Sequence, residues 1–520
     1  MRTTLFLIFI GIMIAFSACR SDFNFESSTG NLGFSRDTVY LDTVFTDIGS
    51  STYTLKVYNK SDNNISIPKV QLAKGAASKY RMTVDGMTGL DGDNSGIGDG
   101  KIFDNVELLA KDSLFIFIET TANIADANPT DFLYTDQIQF GSGSNLQKVE
   151  LVTLIRDAYF IFPKRNEGIY EGVDFGFDEN ENVTQVRGRN LEAEHPDNGN
   201  EFEWNDDKPY VVYGYAAVPT DKTLNINAGA RVHFHAESGM IVQDGATLNI
   251  NGLKSDTEAL EKEVIFEGDR LEPFYSDVPG QWGFVYLRQG SSATIDHLTL
   301  KNASVGLYVL NNTGTIKIKN TQIYDCSNVG IFAIAANITG FNVAINTAGQ
   351  ATFAGTVGGN YDFTHCTFNN NWASSSQVAV LLNDYLKEND VEVASNTLNA
   401  NFKNCIIYGS TSVSLLFDNS RSDFNTIFDH CLIKFNDSGT TLAGNELYNF
   451  IRDEQNGNIK NQNPKFFDIQ NNNLNIDETS AAKGKGKFSF SDGTLDLNGF
   501  PRIIEPSDIG AYNFSVIPED

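Results

Sequence analysis

Basic side chains are scarce in this sequence of 520 residues: 38 Lys and Arg stand against 66 Asp and Glu, for a formal net charge of −28 at pH 7. Nucleic acid is bound through clustered Lys and Arg, and no basic run occurs, so this balance argues against a nucleic-acid partner. Proline is also scarce, with 12 residues against 44 Gly, and no long apolar run follows the first twenty residues. Hydrophobic residues make up 41% of the chain, which excludes disorder and, with the many glycines, favours a turn-rich β protein.

The first nineteen residues have the pattern of a secretion signal. Arg2 supplies a positive charge, and residues 5–16 form an apolar stretch that is too short for a transmembrane helix. The stretch ends in Ala15-Phe16-Ser17-Ala18-Cys19, which resembles the lipobox of bacterial lipoproteins. This resemblance implies that a signal peptide of residues 1–18 is removed and that Cys19 is acylated. An ordinary signal peptide followed by a chance cysteine is the alternative.

Residues 19–33 are predicted to be a tether between the lipid and the folded chain. Several acyl chains on one residue anchor a protein stably, so outer-membrane lipid is the expected partner of the N-terminus. The acidic residues after Cys19 resemble the surface-export signals of some Gram-negative lipoproteins. They predict an outer-membrane location facing the cell exterior, with a periplasmic orientation as the alternative.

Residues 34–157 consist of short alternating strands, such as residues 53–58 and 114–119, separated by turn-rich segments. Strands at this spacing, without a helical period, predict an immunoglobulin-like β-sandwich. The region contains no cysteine, so it lacks the disulfide of immunoglobulin domains.

One loop of this region has part of a calcium-binding pattern. Asp91, Asp93 and Ser95 take the first, third and fifth positions, and Gly96 takes the sixth. The twelfth position is Ile102, where a bidentate Glu is required. A solvated hairpin loop is therefore favoured, no cofactor is predicted, and calcium stays as the alternative.

An eight-residue pattern recurs through the central region and indicates a repeat architecture. Apolar residues take its first and sixth positions, Asn, His or Gly takes the third, and successive starts are 23, 20, 25, 39 and 26 residues apart. The starts are Ile295, Ile318, Ile338, Phe363, Phe402 and Phe428. Short strands repeated at this period predict an all-β fold, a right-handed single-stranded parallel β-helix of roughly eleven coils. The longest period must hold an insertion, placed at residues 384–397.

Three features resemble the right-handed parallel β-helix lipoproteins of Gram-negative bacteria, a mostly uncharacterised family that shares the pectate-lyase superfold. They are the stretch 268–283 with Gly268-Asp269-Arg270 and Gln281-Trp282-Gly283, the Phe-x-x-Cys repeats, and the ending 497–512. The resemblance supports the fold, with the β-helix predicted over residues 206–470. Residues 158–205 are predicted as a linker packed on the solenoid, and residues 471–520 as a C-terminal cap over its open end.

Alternation along the repeats predicts two sets of outward side chains as a candidate ligand or packing face. One apolar column contains Tyr308, Phe332, Leu381 and Leu416, and a second column contains Tyr324 and Tyr408. Uncovered side chains of this size are costly, so the first column is expected to be covered by other segments of the chain or by a ligand or partner. Exposed aromatic residues in the second column would suit stacking on sugar rings, with a solvated surface as the alternative.

The cysteine and histidine positions favour structural roles. Cys366, Cys405 and Cys431 share one column of the repeat, but equivalent Cβ atoms on stacked strands are about 4.8 Å apart, too far for a disulfide, so free buried thiols are predicted. His365 and His430 alternate with Asn in the repeat, which indicates a turn residue in the left-handed conformation. His233 and His235 could bind a metal from one strand face, although no third ligand is evident, and no metal site is predicted.

The pattern does not favour catalysis. A polysaccharide lyase or hydrolase requires acidic residues in register on neighbouring coils. The outward column after the first apolar position contains Asp296, Lys319, Thr339, Thr364, Lys403 and Asp429, which places its acids five coils apart. No catalytic residue is therefore predicted, and the favoured function is a cell-envelope lipoprotein that binds a glycan or protein ligand or has a structural role. The alternative is a polysaccharide lyase or glycoside hydrolase that acts on the β-helix face.

Overall fold

The computed structural model describes residues 24–92, 94–177, 182–312, 314, 316–487, 495–502 and 506–514. The chain divides into two units, Met1–Asp157 and Ala158–Asp520, and both are built mainly of β-strands. The predicted signal peptide and Cys19 lie outside the described residues. No helix in the described part of the chain is long and apolar enough to cross a membrane.

The first unit contains two β-sheets. The six-stranded sheet has the order β1-β5-β9-β10-β3 with β7 beside β5, and the four-stranded sheet has the order β2-β4-β8-β6. The strands are β1 Glu26–Ser27, β2 Gly33–Phe34, β3 Thr38–Phe45, β4 Tyr53–Tyr58, β5 Ile65–Leu72, β6 Tyr80–Val84, β7 Ile102–Leu108, β8 Ser113–Thr120, β9 Leu133–Phe140 and β10 Gln147–Arg156. Short 3₁₀ turns occur at Gly75–Ala77, Ile124–Asp126 and Gly143–Asn145.

Alternation along the strands builds a single core between these sheets. Leu114, Ile116 and Ile118 of β8 are buried, and they join side chains of the other sheet in one cluster. Two sheets over a shared core form a β-sandwich, while the immunoglobulin-like strand order stays a prediction. In the acidic loop, the Asp91 carboxylate accepts hydrogen bonds from the backbone N–H groups of Ser95 and Gly96, and Asp93 lies outside the described residues.

The second unit is a long succession of short strands. They are β11 Tyr159–Ile161, β12 Arg165–Asn166, β13 Ile169–Tyr170, β14 Gly172–Phe177, β15 Val183–Asn190, β16 Glu203–Trp204, β17 Tyr210–Val212, β18 Tyr215–Val218, β19 Thr223–Asn227, β20 Arg231–Phe234, β21 Gly239–Val242, β22 Thr247–Asn251, β23 Val264–Gly268, β24 Val285–Leu287, β25 Ser292–Asp296, β26 Leu298–Lys301, β27 Val305–Leu310, β28 Ile316–Cys326, β29 Val329–Ala348, β30 Ala351–Thr364, β31 Thr367–Asn370, β32 Val378–Asn383, β33 Tyr385–Glu388, β34 Val391–Ser395, β35 Leu398–Lys403, β36 Ile406–Gly409, β37 Leu415–Asp418, β38 Phe424–Asp429, β39 Leu432–Ile433, β40 Ile459–Lys460, β41 Phe466–Asp468 and β42 Asn473–Ile476. Among the described residues of this unit, one α-helical turn, α1, is found at Asn449–Arg452, with 3₁₀ turns at Pro273–Tyr275, Glu446–Tyr448 and Gln455–Gly457.

Parallel pairing shows that these strands form a β-helix. From β17 to β25, each strand pairs in parallel with the strand three places further along the chain, as in β17–β20, β18–β21 and β19–β22. Three strands per coil therefore stack into three sheets around one apolar core. The predicted all-β fold with a parallel β-helix is confirmed, and its right-handedness stays a prediction.

We name the three sheets by their outer surfaces. The amide face consists of β16, β19, β22, β25, residues 316–319, 336–341 and 359–364, β35 and β38. The covered face consists of β11, β17, β20, β23, β26, residues 321–326 and 343–348, β31, β36, β39 and β40. The aromatic face consists of β15, β18, β21, β24, β27, residues 329–334 and 351–356, β32 and β37.

The inner column of the amide face shows why the repeat has its pattern. Ile295, Ile318, Gly340, Phe363, Phe402 and Phe428 lie in direct register on six successive coils. The predicted apolar column is therefore confirmed, except that the third repeat is in register at Gly340 and not at Ile338. The sequence frame was wrong there because this coil has glycine, and no apolar side chain, at the aligned position.

Left-handed residues turn the chain from the amide face to the covered face. Each has a φ between +45° and +53°. They are His297, Asn320, Asn342, His365, Asn404 and His430. The prediction that His and Asn share a turn position is confirmed, because short polar side chains tolerate this conformation better than most residues do.

The cysteines of the repeat are buried. Cys366, Cys405 and Cys431 follow the left-handed corner residues and point into the core, and Cys326 is also buried. All four are free thiols. Burial raises the pKa of the Cys405 thiol well above its ordinary value, so it stays protonated.

Residues 158–205 form a first coil instead of a linker. β11 pairs with β17, β15 with β18, and β16 with β19, so this segment contributes one strand to each face. The antiparallel β14–β15 hairpin extends from this coil. The insertion in the longest repeat is another hairpin, β33–β34, within the predicted residues 384–397.

The C-terminal residues that the structure describes lie along a side of the β-helix and not over its open end. Tyr512 donates a hydrogen bond to Gln322 on the covered face, at 2.9 Å, and Asn346 donates to the Ile469 carbonyl at 3.0 Å. This side needs cover because its outer surface includes the apolar Ile406. The last coil is instead closed by residues 437–457, where buried Tyr448 accepts a hydrogen bond from a backbone N–H of β37.

Candidate functional site

The predicted apolar column lies on the aromatic face. Tyr286, Tyr308, Phe332, Ala354, Leu381 and Leu416 occupy one register on six coils. The rings of Tyr286 and Tyr308 stack at 4.8 Å, and those of Tyr308 and Phe332 stack at 5.4 Å, both nearly parallel. Tyr308, Phe332, Leu381 and Leu416 are all half-buried.

This stacking occupies the ring faces that a sugar would need. The Tyr308 ring is stacked on both sides, by Tyr286 and by Phe332, and these three rings present mainly their edges outward. At the start of the column, Phe175 of the β14–β15 hairpin contacts Tyr286, with ring centroids 5.4 Å apart. The column is therefore a packing element that the chain covers at one end.

The two tyrosines predicted on the neighbouring column have different environments. Tyr324 is buried beneath the C-terminal residues, where its hydroxyl bonds Gln322 and lies 3.5 Å from the hydroxyl of Tyr512. Burial raises the pKa of Tyr324 well above its ordinary value. Tyr408 is half-buried, with the Lys434 ammonium 5.2 Å from its ring centroid. Tyr324 is thus unavailable as a sugar platform because its own chain covers it.

A charged row crosses three coils of the covered face. The Glu267 carboxylate lies 2.9 Å from the Lys301 ammonium and 3.5 Å from Nδ1 of His233. Burial acts to raise the pKa of Glu267, but the charges of His233 and Lys301 outweigh burial and hold it below its ordinary value. An ionised carboxylate has no proton to donate, so Glu267, paired with His233 and Lys301, cannot serve as a general acid. His233 is almost fully buried. The three side chains therefore pair with one another across the coils, and His233 offers no access to a substrate.

An exposed histidine–carboxylate pair follows this row. Nδ1 of His235 lies 2.7 Å from Oδ2 of Asp269, and the His235 ring lies 4.5 Å from the ring of Tyr213. The His235 side chain is about half exposed, and Asp269 orients its ring. Burial raises the pKa of Tyr213 to about 12, which keeps its hydroxyl protonated. His233 and His235 thus contact separate carboxylates, and no group of three His, Cys, Asp or Glu side chains in the described residues is placed to hold a metal.

A ladder of asparagines lies on the outside of the amide face. The side-chain oxygen of Asn337 accepts a hydrogen bond from the Asn360 amide at 2.5 Å, and Asn360 accepts one from Asn399 at 2.9 Å. Asn399 accepts one from Asn425 at 3.0 Å. The four side chains lie in register because each comes three residues before the inner column.

A polar trough lies beside this ladder. Its volume is about 360 Å³. It is lined by Gly314, Ile316, Asn337, Ile338, Thr339, Asn360, Tyr361, Asp362, Asn399 and Asn401. Each carboxamide has two N–H bonds and two lone pairs, so Asn360 and Asn399 keep one donor and one acceptor beyond the ladder. The trough therefore presents hydrogen-bonding groups that repeat from coil to coil.

The trough lacks the paired carboxylates of a glycoside hydrolase. Asp362 is the one carboxylate among the described residues that line it. In the neighbouring outward column, Lys319 pairs with Phe341, so Phe341 takes the place expected for Thr339, while Asp296 and Asp429 stay at opposite ends. These acids are too far apart to act together.

Sequence reasoning missed the trough, although a signal was present. Asn occurs three residues before the inner column at Asn337, Asn360, Asn399 and Asn425, and this spacing marks an outward position. The misplaced frame at Ile338 hid the recurrence, because it put Asn337 one residue before the repeat start and not three.

No protein-family model and no curated protein matches this chain. Among solved structures, the catalytic domain of a GH87 α-1,3-glucanase in complex with nigerose is similar at 10% identity. The match covers 73% of this chain and 82% of that chain, with a TM-score of 0.19. A TM-score this low supports no conclusion about function. The β-helix is established by the strand pairing described above.

Proposed function

We propose that this protein is a lipid-anchored envelope protein that binds a neutral glycan in the polar trough without changing it. The observation that carries the proposal is the asparagine ladder, whose amides leave donors and acceptors directed into an open trough. Glycan hydroxyls both donate and accept, so side-chain amides match them without a charged partner. Coils repeat at about 4.8 Å, which lets a polymer with recurring hydroxyls bind successive coils in the same way.

The charge of the chain favours a neutral ligand. A net charge of −28 repels polyanions at low ionic strength, and the trough itself contributes Asp362. An acidic polysaccharide would be repelled by this face unless a cation bound between them. A neutral polysaccharide is not repelled.

The location is proposed from the leader sequence. A lipidated Cys19 would anchor the chain in the outer membrane, and the acidic residues that follow support an orientation toward the cell exterior. An envelope protein is the alternative partner of the same surface.

The proposal is tested by affinity electrophoresis of the full chain in gels that contain neutral or acidic polysaccharides. We expect a neutral polysaccharide to retard the protein, and Asn360→Ala with Asn399→Ala to weaken that binding about tenfold or more. The matched control is Asn225→Ala with Asn249→Ala, which removes a ladder bond of the same 2.9 Å length on the same face outside the trough. Equal losses in both double variants, or retardation by acidic polysaccharides alone, would overturn the proposal.

An enzyme that acts on polysaccharide is a second candidate, and the His235–Asp269 pair favours it. A half-exposed imidazole oriented by a carboxylate is suited to remove a proton, and the Tyr213 ring lies 4.5 Å from it. Unsaturated products or new reducing ends that disappear in His235→Ala would favour this candidate. Their absence with every polysaccharide that binds would favour binding alone.

A further inference from the structure

Two aromatic side chains of the first unit are exposed on the outside of its four-stranded sheet. Phe115 and Phe117 of β8 are 44% and 43% exposed, while the residues between and beside them are buried. Burying apolar side chains is favourable, so leaving two Phe rings in water is unfavourable unless the surface is used.

The two rings differ in what covers them. The Lys56 ammonium lies 5.2 Å from the ring centroid of Phe115 and directly opposite it in the sheet. Phe117 instead lies between Thr54 and Thr83 on the neighbouring strands, whose short side chains leave its ring open. The two rings are nearly parallel at 6.4 Å, so Phe115 occupies one side of Phe117 and the other side faces along β8 toward Glu119.

A pocket of about 210 Å³ lies on that open side. Its lining contains Phe117, Glu119, Arg81, Met82, Thr83, Thr88, Asp99 and the backbone of Gly98 and Gly100. Arg81 and Glu119 are opposite each other in the sheet, and Arg81 contacts the Glu119 carboxylate at 2.6 and 2.9 Å. Thr52 donates a second hydrogen bond to Glu119, and this bond with the Arg81 charge holds the pKa of Glu119 below its ordinary value.

The loop of residues 85–100 holds the pocket in shape. The backbone N–H of Gly100 donates to the Thr88 carbonyl at 2.9 Å, and that of Leu90 donates to the Ile102 carbonyl at 2.8 Å. Gly100 has a φ of +72°, and a Cβ there would lie 2.8 Å from the Met82 carbonyl oxygen. Glycine is therefore required for the loop to approach β6 this closely, and the pocket is already formed before a ligand arrives.

We propose that this pocket binds one neutral sugar ring, stacked on Phe117 and hydrogen-bonded to the Arg81–Glu119 pair. A pyranose has an apolar face of C–H groups that suits an exposed aromatic ring, while its rim of hydroxyls suits a fixed charged donor beside a fixed charged acceptor. The pocket is smaller than the about 300–1,000 Å³ of drug-sized sites, so it takes a single ring and not an extended chain. This site lies in the other unit from the trough and is independent of it.

The test is a titration of the full chain with a panel of neutral monosaccharides and their methyl glycosides, followed by saturation-transfer NMR and calorimetry. We expect at least one to bind, and Phe117→Ala to weaken that binding about tenfold. Phe115→Ala is the matched control, since it removes an equally exposed ring on the same strand outside the pocket. Glu119→Gln should also weaken binding, because it removes the charged acceptor.

Three outcomes would overturn this site. One is that no monosaccharide of the panel binds at tens of millimolar. Another is that Phe115→Ala and Phe117→Ala weaken binding equally. The third is that the double variant Asn360→Ala with Asn399→Ala abolishes monosaccharide binding, which would place the sugar in the trough. Because Phe117 is exposed, its variant should retain the wild-type circular dichroism and thermal midpoint.

Discussion

Gly340 illustrates how a single residue decides the packing of a coil. It occupies the inner column between Ile318 and Phe363, where every other aligned repeat start is a large apolar residue. A Cβ at this position would lie 2.3 Å from Cδ1 of Phe363. The Phe363 ring already stacks on Phe402 at 5.4 Å and has no room to move away. The small residue in one coil thus accommodates the large residue in the next.

We therefore expect Gly340→Ala to lower the free energy of unfolding by about 1–3 kcal/mol, the usual cost of overpacking a core. The measurement is the urea midpoint of the full chain followed by far-UV circular dichroism. Gly176→Ala is the control, because a Cβ there would meet only Thr184 Oγ1 at 3.8 Å. Equal midpoints for the two variants would contradict the packing argument.

At the scale of elements, the C-terminal residues and the covered face share a buried carboxylate. Asp325 lies in the covered-face part of β28, is 7% exposed, and accepts a hydrogen bond from the Asn472 amide at 3.0 Å. Burial raises the pKa of Asp325 to about 6, with Asp277 adding to the shift. The packing of the C-terminal residues on the covered face therefore favours the neutral form of Asp325 over the charged form.

This shift predicts a pH dependence that Asp325→Asn removes. The folded state holds the Asp325 proton more tightly than the unfolded state, whose pKa is about 3.9. The stability contribution of this group is therefore lost as the pH rises from about 4 to about 6. We expect Asp325→Asn to stabilise the protein by roughly 2–3 kcal/mol above pH 7 and to have little effect at pH 4. Urea midpoints at both pH values measure this.

Asp221→Asn is the control for this pH dependence. Asp221 has a positive φ of 60° and Asp325 one of 53°, so Asn suits both backbones equally well, but Asp221 is exposed. Stabilisation of the same size in both variants, or at both pH values, would show that burial of the Asp325 charge is not the cause.

At the scale of the whole molecule, the large negative charge bears on how the chain could be attached to a membrane. A chain of net charge −28 gains nothing from anionic lipid, so its attachment to a membrane would depend on acyl chains. Several acyl chains on one residue are sufficient, since each buried CH₂ contributes about 0.8 kcal/mol.

Replacing Cys19 should release the protein from the membrane. We expect the native chain to incorporate radiolabelled palmitate and to fractionate with outer membranes, and Cys19→Ser to do neither. Protease added to intact cells should degrade the native protein if it faces outward. A membrane-bound, unlabelled Cys19→Ser protein would contradict the anchor, and protection from protease would indicate a periplasmic orientation.

Much of the fold was predictable because a coil repeats its constraints. Inward positions such as Ile295, Phe363 and Phe402 recur as large apolar residues, and the corner recurs as His or Asn. The repeat could therefore be recognised in the sequence wherever a coil has these residue types. The predicted alignment of the repeats is wrong at Gly340, because the aligned position has no side chain there. Residues 158–205 resemble a linker in sequence because a first coil has one neighbour only and shows less of the pattern.

By itself, the sequence determined the class of fold, the register of most coils, the left-handed corners and the buried thiols, because each depends on local alternation or on backbone conformation. Only the tertiary structure decided which outward side chains are available. Tyr324 and Phe332 are both predicted from the sequence to point outward, yet Tyr324 lies under the C-terminal residues and Phe332 lies in a ring stack. Asn360 and Phe117, in contrast, are exposed. Covering an outer surface requires contacts between segments far apart in the chain, and no local pattern records such contacts.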